Sequence, residues 1–187
     1  MKRSLLLLCT LLGATLAGYS QRTYQVLPDP VDHHAHLFRG MVTLEDLKAD
    51  TSFHWYRESE QMYPHPLAGL LHALTEYRDS LSFVIFAGTW CEDTHYIIPK
   101  FFKALQEAGF PEDHYTIFAL DRFKETTGHM ARIFHITATP TIVILKNGRE
   151  IGRLVEYGKT GLWDKELTAL IRTGFGGSAD QLHGGGD

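Results

Sequence analysis

Cysteine is scarce in this chain: only Cys9 and Cys91 occur among its 187 residues. Cys9 lies within an apolar stretch near the N-terminus, so Cys91 is the only cysteine expected in the mature chain. A mature chain with one thiol can form neither an internal disulfide nor a redox-active Cys-x-x-Cys pair. Cys91 is therefore not a structural cross-link, and any redox chemistry that it performs must involve a sulfur atom from another molecule.

Long hydrophobic runs are also absent, since no segment holds the roughly 20 apolar residues that a membrane-spanning helix needs. The first twenty residues have instead the pattern of a secretory signal peptide, with a basic start, a short apolar core over residues 5–12 and small residues after it. We predict cleavage after Ser20, with cleavage after Ala17 as the alternative. Residues 1–20 should then be removed, and the mature protein should be secreted or periplasmic, without a membrane span.

Basic residues are outnumbered, with 18 lysines and arginines against 22 aspartates and glutamates. The predicted signal peptide carries two of the basic residues and no acidic one, so the mature chain keeps 16 against 22, a net charge of −6 with histidine neutral. No cluster of lysine and arginine offsets this balance, which argues against a nucleic-acid partner. The chain also lacks a phosphate-binding glycine loop, a Gly-x-Ser-x-Gly motif and a His-Glu-x-x-His motif, and no cofactor is expected.

Hydrophobic periodicity predicts one α/β domain over residues 66–173, with an extension before it at 21–65 and a disordered, glycine-rich tail after it at 174–187. The predicted elements of the domain are, in chain order, a helix at 66–78, a strand at 82–87, a helix at 94–108, a strand at 114–120, a helix at 126–134, strands at 141–145 and 150–155, and a final helix. The first two strands should be parallel, through a right-handed crossover, and the Asn147-Gly148 turn should make an antiparallel hairpin. The sequence therefore predicts a mixed central sheet with helices on both faces.

Several local predictions refine this order. Residues 21–42 are expected to form a short extended piece and a loop, and a capping box that begins at Thr43 opens the first of two short helices. The extension is thus predicted to be mainly helical. In the domain, Ile133 and Phe134 should face inward, and Thr160 should cap the final helix.

A hydrophobic strand leads directly into Trp90-Cys91, and an amphipathic helix follows. This arrangement places the Cys91 thiol at a helix N-terminus, where unpaired N–H groups and the helix dipole favour the thiolate. Thr94 can add a hydroxyl hydrogen bond and His95 a pairing partner, whereas the two acidic residues that follow Cys91 oppose its ionisation. We expect a modestly activated thiol; the alternative is a buried, inert cysteine.

Three features resemble the thioredoxin superfamily: Trp90-Cys91 at the head of the helix, Pro99 eight residues after the cysteine, and the loop at residues 138–141, Ala-Thr-Pro-Thr. Pro99 is expected to kink the helix, since proline removes a backbone hydrogen bond; the alternative is a separate turn before it. The resemblance covers about residues 80–173. More narrowly, the Trp-Cys-x-Asp-Thr segment is similar to single-cysteine, thioredoxin-like envelope proteins of bacteria.

This resemblance implies a thioredoxin-like fold in which a cis peptide bond precedes Pro140 and this proline lies beside the reactive sulfur. It also implies a catalytic group made of Trp90, Cys91, Thr94 and Pro140. Substrate contacts would come from Trp90, Pro140 and the backbone of Thr139, which would pair with an extended polypeptide.

Two departures from the family pattern limit the chemistry. Thr94 replaces the second cysteine, so no intramolecular disulfide can close, and Ile85 stands where the family has a buried carboxylate. Both argue against a dithiol reductase. They leave a monothiol role, in which Cys91 captures or reshuffles a thiol- or disulfide-bearing protein or a small thiol. The sequence does not decide whether the protein is an enzyme.

Two alternatives remain open at this point. In the first, the chain is a non-catalytic binding module whose groove holds an extended polypeptide against Pro140. In the second, Cys91 and His95 lie one helical turn apart and act as soft metal ligands. Three further candidate metal ligands lie in the extension: His33, His34 and His36.

Overall fold

The computed structural model describes residues 23–177 of the protein. The predicted signal peptide, residues 1–20, lies outside the described residues, as does most of the predicted tail, residues 178–187. In residues 23–177, no helix has the length and apolar character needed to cross a membrane.

The described chain folds around one six-stranded sheet with the strand order β1-β2-β4-β3-β5-β6. The strands are β1 Tyr24–Pro28, β2 His36–Val42, β3 Leu81–Ala87, β4 Tyr115–Ala119, β5 Thr141–Lys146 and β6 Arg149–Val155. The α-helices are α1 Leu44–Ala49, α2 His54–Gln61, α3 Ala68–Tyr77, α4 Glu92–Glu107, α5 Met130–Ile133 and α6 Trp163–Gly174.

The sheet is mixed, as the sequence predicts. Strands β3 and β4 are parallel, with Ile85 opposite Ile117, and α4 forms the crossover between them. Strand β5 pairs antiparallel with β3 on its other side, and the turn at Asn147 and Gly148 connects β5 to β6. Both turn residues have positive φ, which asparagine and glycine tolerate best. The mixed α/β, thioredoxin-like architecture expected from the sequence is confirmed.

The N-terminal extension differs from its prediction, because most of residues 21–42 forms an antiparallel hairpin, β1 and β2, that joins the sheet. Strand β2 lies antiparallel to β4, with Gly40 opposite Ala119. Gly40 has a φ of +131°, and a Cβ added to it would lie 2.6 Å from the carbonyl oxygen of Thr23, so only glycine fits there. The extension therefore begins with a strand hairpin and ends with two short helices, and it is not mainly helical.

The first helix of the extension begins as predicted. The Thr43 hydroxyl accepts the backbone N–H of Asp46 at 3.1 Å, and the Asp46 carboxylate accepts the backbone N–H of Thr43 at 2.8 Å. Two donors that the helix leaves unpaired are thus satisfied reciprocally, which typically stabilises a helix start by about 1 kcal/mol. The extension also shares the main core of the domain, where Phe38 and Tyr56 are buried. It is an integral layer of the fold.

Two buried clusters lie on the two faces of the sheet. The larger one packs the sheet against five helices, α1 to α4 and α6, and includes an edge-to-face pair in which the rings of Phe83 and Phe101 are 5.2 Å apart. Burying one such aromatic side chain contributes about 1.5–3 kcal/mol. The smaller cluster is covered by α5 and consists of Phe86, Phe118, Leu120, Ala131 and Val143. Helices cover both faces, although unequally.

The segment predicted as one helix at 126–134 is broken. Gly128 and His129 have positive φ, so a 3₁₀ turn at Thr127–His129 precedes the short helix α5. The break turns Ile133 outward, where its side chain is 62% exposed, and this corrects the prediction that it faces inward. Phe134 does pack on the smaller cluster, with its ring 5.4 Å from that of Phe86.

The C-terminal helix α6 also differs from its predicted form at both ends. Its N-cap is Leu162, and the Thr160 hydroxyl accepts the Leu162 N–H one step before the helix, so Thr160 is not the cap. At the other end, Gly174 is the last helical residue, and the Phe175 ring stacks on Tyr77 at 4.2 Å. Residues 174–177 therefore belong to the folded domain and not to a tail.

Candidate active site

Cys91 occupies the position that the sequence indicates, at the N-terminus of α4 immediately after β3 and a three-residue loop. It is the N-cap residue, with φ −100° and ψ 125°, and its carbonyl oxygen accepts the His95 N–H at 3.0 Å. The Cys91 N–H donates to the Gly88 carbonyl oxygen at 3.0 Å, which closes a tight turn before the helix. The side chain is partly exposed. Pro99 lies inside this same continuous helix, so the alternative of a separate turn before it is wrong.

The loop that contains Pro140 lies against the thiol. The Cys91 Sγ is 3.1 Å from the carbonyl oxygen of Thr139 and donates its proton to it, and the Thr139–Pro140 peptide bond is cis. The Thr139 hydroxyl accepts the Gly88 N–H at 2.8 Å, which ties this loop to the turn before Cys91. Residues far apart in the sequence thus meet around one sulfur atom.

Thr94 is buried, with 1% of its side chain exposed. Among the described residues, the hydrogen-bond partner of its hydroxyl is the Thr139 hydroxyl at 3.4 Å, and not the Cys91 sulfur. The expected hydroxyl contact to the thiol is therefore absent from this conformation. Thr94 instead fixes the distance between α4 and the Pro140 loop.

His95 is turned away from the sulfur. Its Nε2 lies 2.8 Å from the Thr89 carbonyl oxygen, which can only accept, so Nε2 carries the proton. The ring stacks on Trp55 of α2 at 4.2 Å and 15°. Burial lowers the pKa of His95, against the opposing effects of the Thr89 carbonyl and the charge of Glu92, so the ring is neutral at pH 7.

The metal-binding alternative lacks geometric support in the part of the chain that the structure describes. No group of three or more histidine, cysteine, aspartate or glutamate side chains lies close enough together there to hold a metal ion. His33 and His34 are exposed, and His36 Nε2 lies 2.7 Å from the Asp50 carboxylate. The histidine-rich segment therefore fastens the hairpin to the α1–α2 loop.

The side chain of Trp90 is held by residues that the sequence did not indicate. Its indole N–H donates to the Leu120 carbonyl oxygen at 2.8 Å, and the Arg122 guanidinium lies 5.0 Å from its ring. Arg122 in turn forms a two-point ion pair with Asp29 of the β1–β2 turn, at 2.6 and 2.7 Å. Because 93 residues separate the two partners, no local pattern could have indicated this pair.

The extension makes two further contacts with the residues around Cys91. The Phe38 N–H of β2 donates to the Thr89 hydroxyl at 3.1 Å, and Trp55 of α2 covers His95. These contacts involve Thr89 and His95 directly, and Asp29 acts on Trp90 indirectly, through Arg122. The extension therefore forms part of the wall of the site.

Charged groups in and near the site have shifted pKa values. The hydrogen bonds from Arg122 lower the pKa of Asp29 to about 2. Burial is the main cause of the raised pKa of Tyr157, and the negative charges of Asp93 and Cys91 add to it. Further along α4, burial lowers the pKa of Lys100 to about 8.

Comparison with known proteins finds partial similarity to thioredoxins. No family model matches the chain. A curated relative, thioredoxin H9 of Arabidopsis thaliana, is 31% identical over 86 residues, which is 46% of this chain and 56% of the relative. The chain thus spans about half of the length of the curated relative that it matches.

Solved structures of thioredoxins are also similar in part. Fasciola hepatica thioredoxin is 27% identical, covers 48% of this chain and 80% of its own, and has a TM-score of 0.35. The reduced thioredoxin pre-protein of Schistosoma mansoni is 26% identical, with coverages of 57% and 90% and a TM-score of 0.37. The chain is thus similar in sequence to a thioredoxin over about half of that protein's length, and its strand order and the Trp90-Cys91 turn at the start of α4 agree with the thioredoxin-like fold that the sequence predicts.

Proposed function

We propose that this protein performs thiol–disulfide exchange through a mixed disulfide at Cys91. The observation that carries the proposal is the position of one partly exposed sulfur at a helix N-terminus, 3.1 Å from the Thr139 carbonyl oxygen and next to Pro140. The similarity to a thioredoxin supports redox chemistry at this site. Thr94, where a dithiol protein has its second thiol, supports a monothiol mechanism.

The exchange takes place in two displacements. In the first, the Cys91 thiol loses its proton to solvent, and the thiolate attacks one sulfur of a partner disulfide. A Cys91–partner disulfide forms, the old S–S bond breaks, and the leaving sulfur departs as a thiolate with the bonding electrons. In the second, another thiolate of the partner, or an external small thiol, attacks the mixed disulfide and regenerates the Cys91 thiolate. The protein undergoes no net oxidation or reduction, so the chemistry is disulfide reshuffling.

The Thr139 carbonyl oxygen links binding to this chemistry. In the resting state it accepts the Cys91 thiol proton. Ionisation of Cys91 releases this acceptor, which can then take a backbone N–H from an extended substrate lying across Pro140. Trp90, which precedes Cys91 in the chain, is the second residue that we propose to contact the substrate. Substrate binding and thiolate formation therefore favour each other at this site.

The proposed partners are thiol- or disulfide-bearing proteins, or a small thiol, in the compartment to which the predicted signal peptide directs the chain. That compartment is the periplasm or the extracellular medium, where disulfides persist and a monothiol has substrates to rearrange. The excess of acidic residues in the predicted mature chain agrees with a polypeptide or small-molecule partner.

Trapping with a defined disulfide tests the proposal. The untagged Cys9→Ser protein, whose sole thiol is Cys91, is incubated with oxidised glutathione, and its intact mass is measured over time. We expect one glutathione per chain, no adduct in the additional Cys91→Ser variant, and full release on addition of reduced glutathione. Failure of the native protein to form an adduct, while the urea-unfolded protein forms one completely, would contradict the proposal.

One observation favours a second candidate, a non-catalytic binding module. The Cys91 thiol already donates to the Thr139 carbonyl oxygen, which satisfies the protonated form, and two carboxylates follow it in the chain. In that case Cys91 contributes packing, and the groove holds an extended polypeptide without covalent chemistry. Equal recovery of partner proteins with the wild type and with Cys91→Ser under native conditions would favour this candidate.

A further inference from the structure

The Asp29–Arg122 ion pair, which lies beside Trp90, is largely buried and has a well-defined geometry. The Asp29 side chain is 3% exposed and that of Arg122 is 26% exposed. Asp29 also accepts the backbone N–H of Val31 at 2.9 Å, so the β1–β2 turn holds the carboxylate in place. Two oxygens of one carboxylate engage two nitrogens of one guanidinium, a geometry that fixes both position and orientation.

The ion pair with Asp29 uses only part of the hydrogen-bonding capacity of the Arg122 guanidinium. A guanidinium has five N–H groups, and the two contacts to Asp29 use one from Nε and one from Nη2. The guanidinium lies over the indole ring of Trp90, the residue that precedes Cys91. The hydrogen bonds with Asp29 are the main cause of the raised pKa of Arg122, and the negative charge of the Cys91 thiolate adds to it. Arg122 is thus a permanent positive charge within electrostatic reach of the sulfur.

We propose that Arg122 is the cation that stabilises the Cys91 thiolate, and that Asp29 of the N-terminal hairpin positions it and limits its effect. The inference deepens the proposed function, on which its biological meaning rests. It gives the extension a role in setting the reactivity of the thiol. Arg122 acts through space and does not contact the sulfur, so it is a positioning and electrostatic residue.

Other ionisable groups surround the same sulfur and set the background. They include Glu92, Asp93 and His95 of α4, Tyr157 of the β6–α6 loop, and Asp32 of the β1–β2 turn, whose negative charge acts on Arg122. His95 is neutral and turned towards Thr89, and the raised pKa of Tyr157 keeps it protonated at pH 7. Arg122 is therefore the positive charge that opposes the two carboxylates at the start of α4.

The two partners of the pair permit a decisive test, because breaking the same ion pair from either side has opposite electrostatic effects. The rate of Cys91 alkylation by iodoacetamide is measured from pH 5 to 10 in the full Cys9→Ser chain. Arg122→Gln removes the cation and leaves a carboxylate, so the midpoint of the pH–rate profile should rise and the rate at pH 7 should fall by about threefold to tenfold. Asp29→Asn leaves the cation without its counter-charge, so the midpoint should fall and the rate at pH 7 should rise by about twofold.

Conservative and unrelated variants complete the design. Arg122→Lys keeps the charge but not the two-point contact, and should retain most of the wild-type profile. Lys48→Gln and Glu60→Gln break a different ion pair, 3.3 Å long and within the same extension, and should leave the profile unchanged. Circular dichroism and urea titration show whether each variant is folded under the assay conditions.

The outcomes separate this inference from the proposed function. A purely structural role for the pair predicts that Arg122→Gln and Asp29→Asn change the alkylation profile in the same direction, and that result would overturn the inference. If either variant does not fold, the alkylation profiles of Arg122→Lys and of the wild type are compared at low and high salt. This comparison decides between an electrostatic and a structural role, because an electrostatic effect weakens with salt. Alkylation needs no disulfide substrate, so a wild type that alkylates as expected but forms no glutathione adduct refutes the proposed function alone.

Discussion

Lys100 offers a quantitative test of the physical description of α4. Its side chain is only 3% exposed, and its ammonium nitrogen lies 2.9 Å from the centre of the Tyr96 ring. Among residues 23–177, no carboxylate forms an ion pair with it. Burial therefore disfavours the charged form and lowers the pKa of Lys100 from 10.5 to about 8.

The sign of the effect on stability follows from this direction. Because the folded pKa is below the unfolded one, the charged ammonium destabilises the folded state, and the penalty is complete below pH 8 and disappears as the pH rises to about 10.5. The difference between the folded and unfolded pKa values sets an upper bound of about 3 kcal/mol on this destabilisation. The cation–π contact with Tyr96 offsets about 1–2 kcal/mol of that penalty, which leaves about 1–2 kcal/mol.

Replacing Lys100 by methionine, which keeps the length of the chain and removes the charge, should therefore stabilise the protein by about 1–2 kcal/mol at pH 7. Urea unfolding followed by tryptophan fluorescence at pH 7 and pH 9.5 measures the difference, which should shrink at the higher pH. Lys103→Met, on the same helix and half-exposed, should change stability by less than about 0.5 kcal/mol at either pH. A Lys100→Met protein that is less stable than the wild type at pH 7, or a gap that widens with pH, would refute the reasoning.

Three further predictions concern the site. A Cβ at Gly88 would lie 2.8 Å from the Trp90 indole, so Gly88→Ala should displace that ring and cost about 1–3 kcal/mol of unfolding free energy, with a changed tryptophan emission spectrum. The depressed pKa of Asp29 means that its stabilisation is complete above about pH 4 and is lost as the pH falls through about 2; Asp29→Asn should thus cost about 1–2 kcal/mol at pH 7 and clearly less at pH 2.5, by urea titration at both. A destabilisation that is the same at both pH values would contradict this account. Thr94→Cys should place a second thiol beside Cys91, and oxidation should then remove both free thiols per chain in a thiol titration of the Cys9→Ser background, whereas Thr94→Ser should leave one.

The elements that the sequence predicts well are those whose pattern is local. Strand β3 is a nearly continuous apolar run, α4 has helical spacing of buried residues, and the turn at Asn147 and Gly148 needs only its own two side chains. The capping box at Thr43 is likewise complete within four residues. The pattern that identifies each of these features lies within a few adjacent residues, so a short window contains the information.

The errors concern features that depend on distant partners. The hairpin β1–β2 is stable because β4 supplies its hydrogen bonds, and the outward rotation of Ile133 follows from two left-handed residues before it. The side chain of His95 could have pointed to the sulfur, as the sequence allows, but Trp55 and the Thr89 carbonyl hold it elsewhere. A local pattern contains no information about which surface will cover a side chain.

The sequence alone determined that Cys91 stands at the start of a helix and that Thr94 occupies the position of a second Cys-x-x-Cys thiol, because these properties depend only on residue identity and spacing. The tertiary structure decided what surrounds the thiol: Thr139 accepts its proton, Thr94 faces the loop, and Arg122 and Asp29 form an ion pair beside Trp90. Electrostatic and hydrogen-bonding effects act over a few ångströms in space. The groups that we propose to set the reactivity of Cys91 therefore became identifiable only when folding brought the N-terminal hairpin to the site.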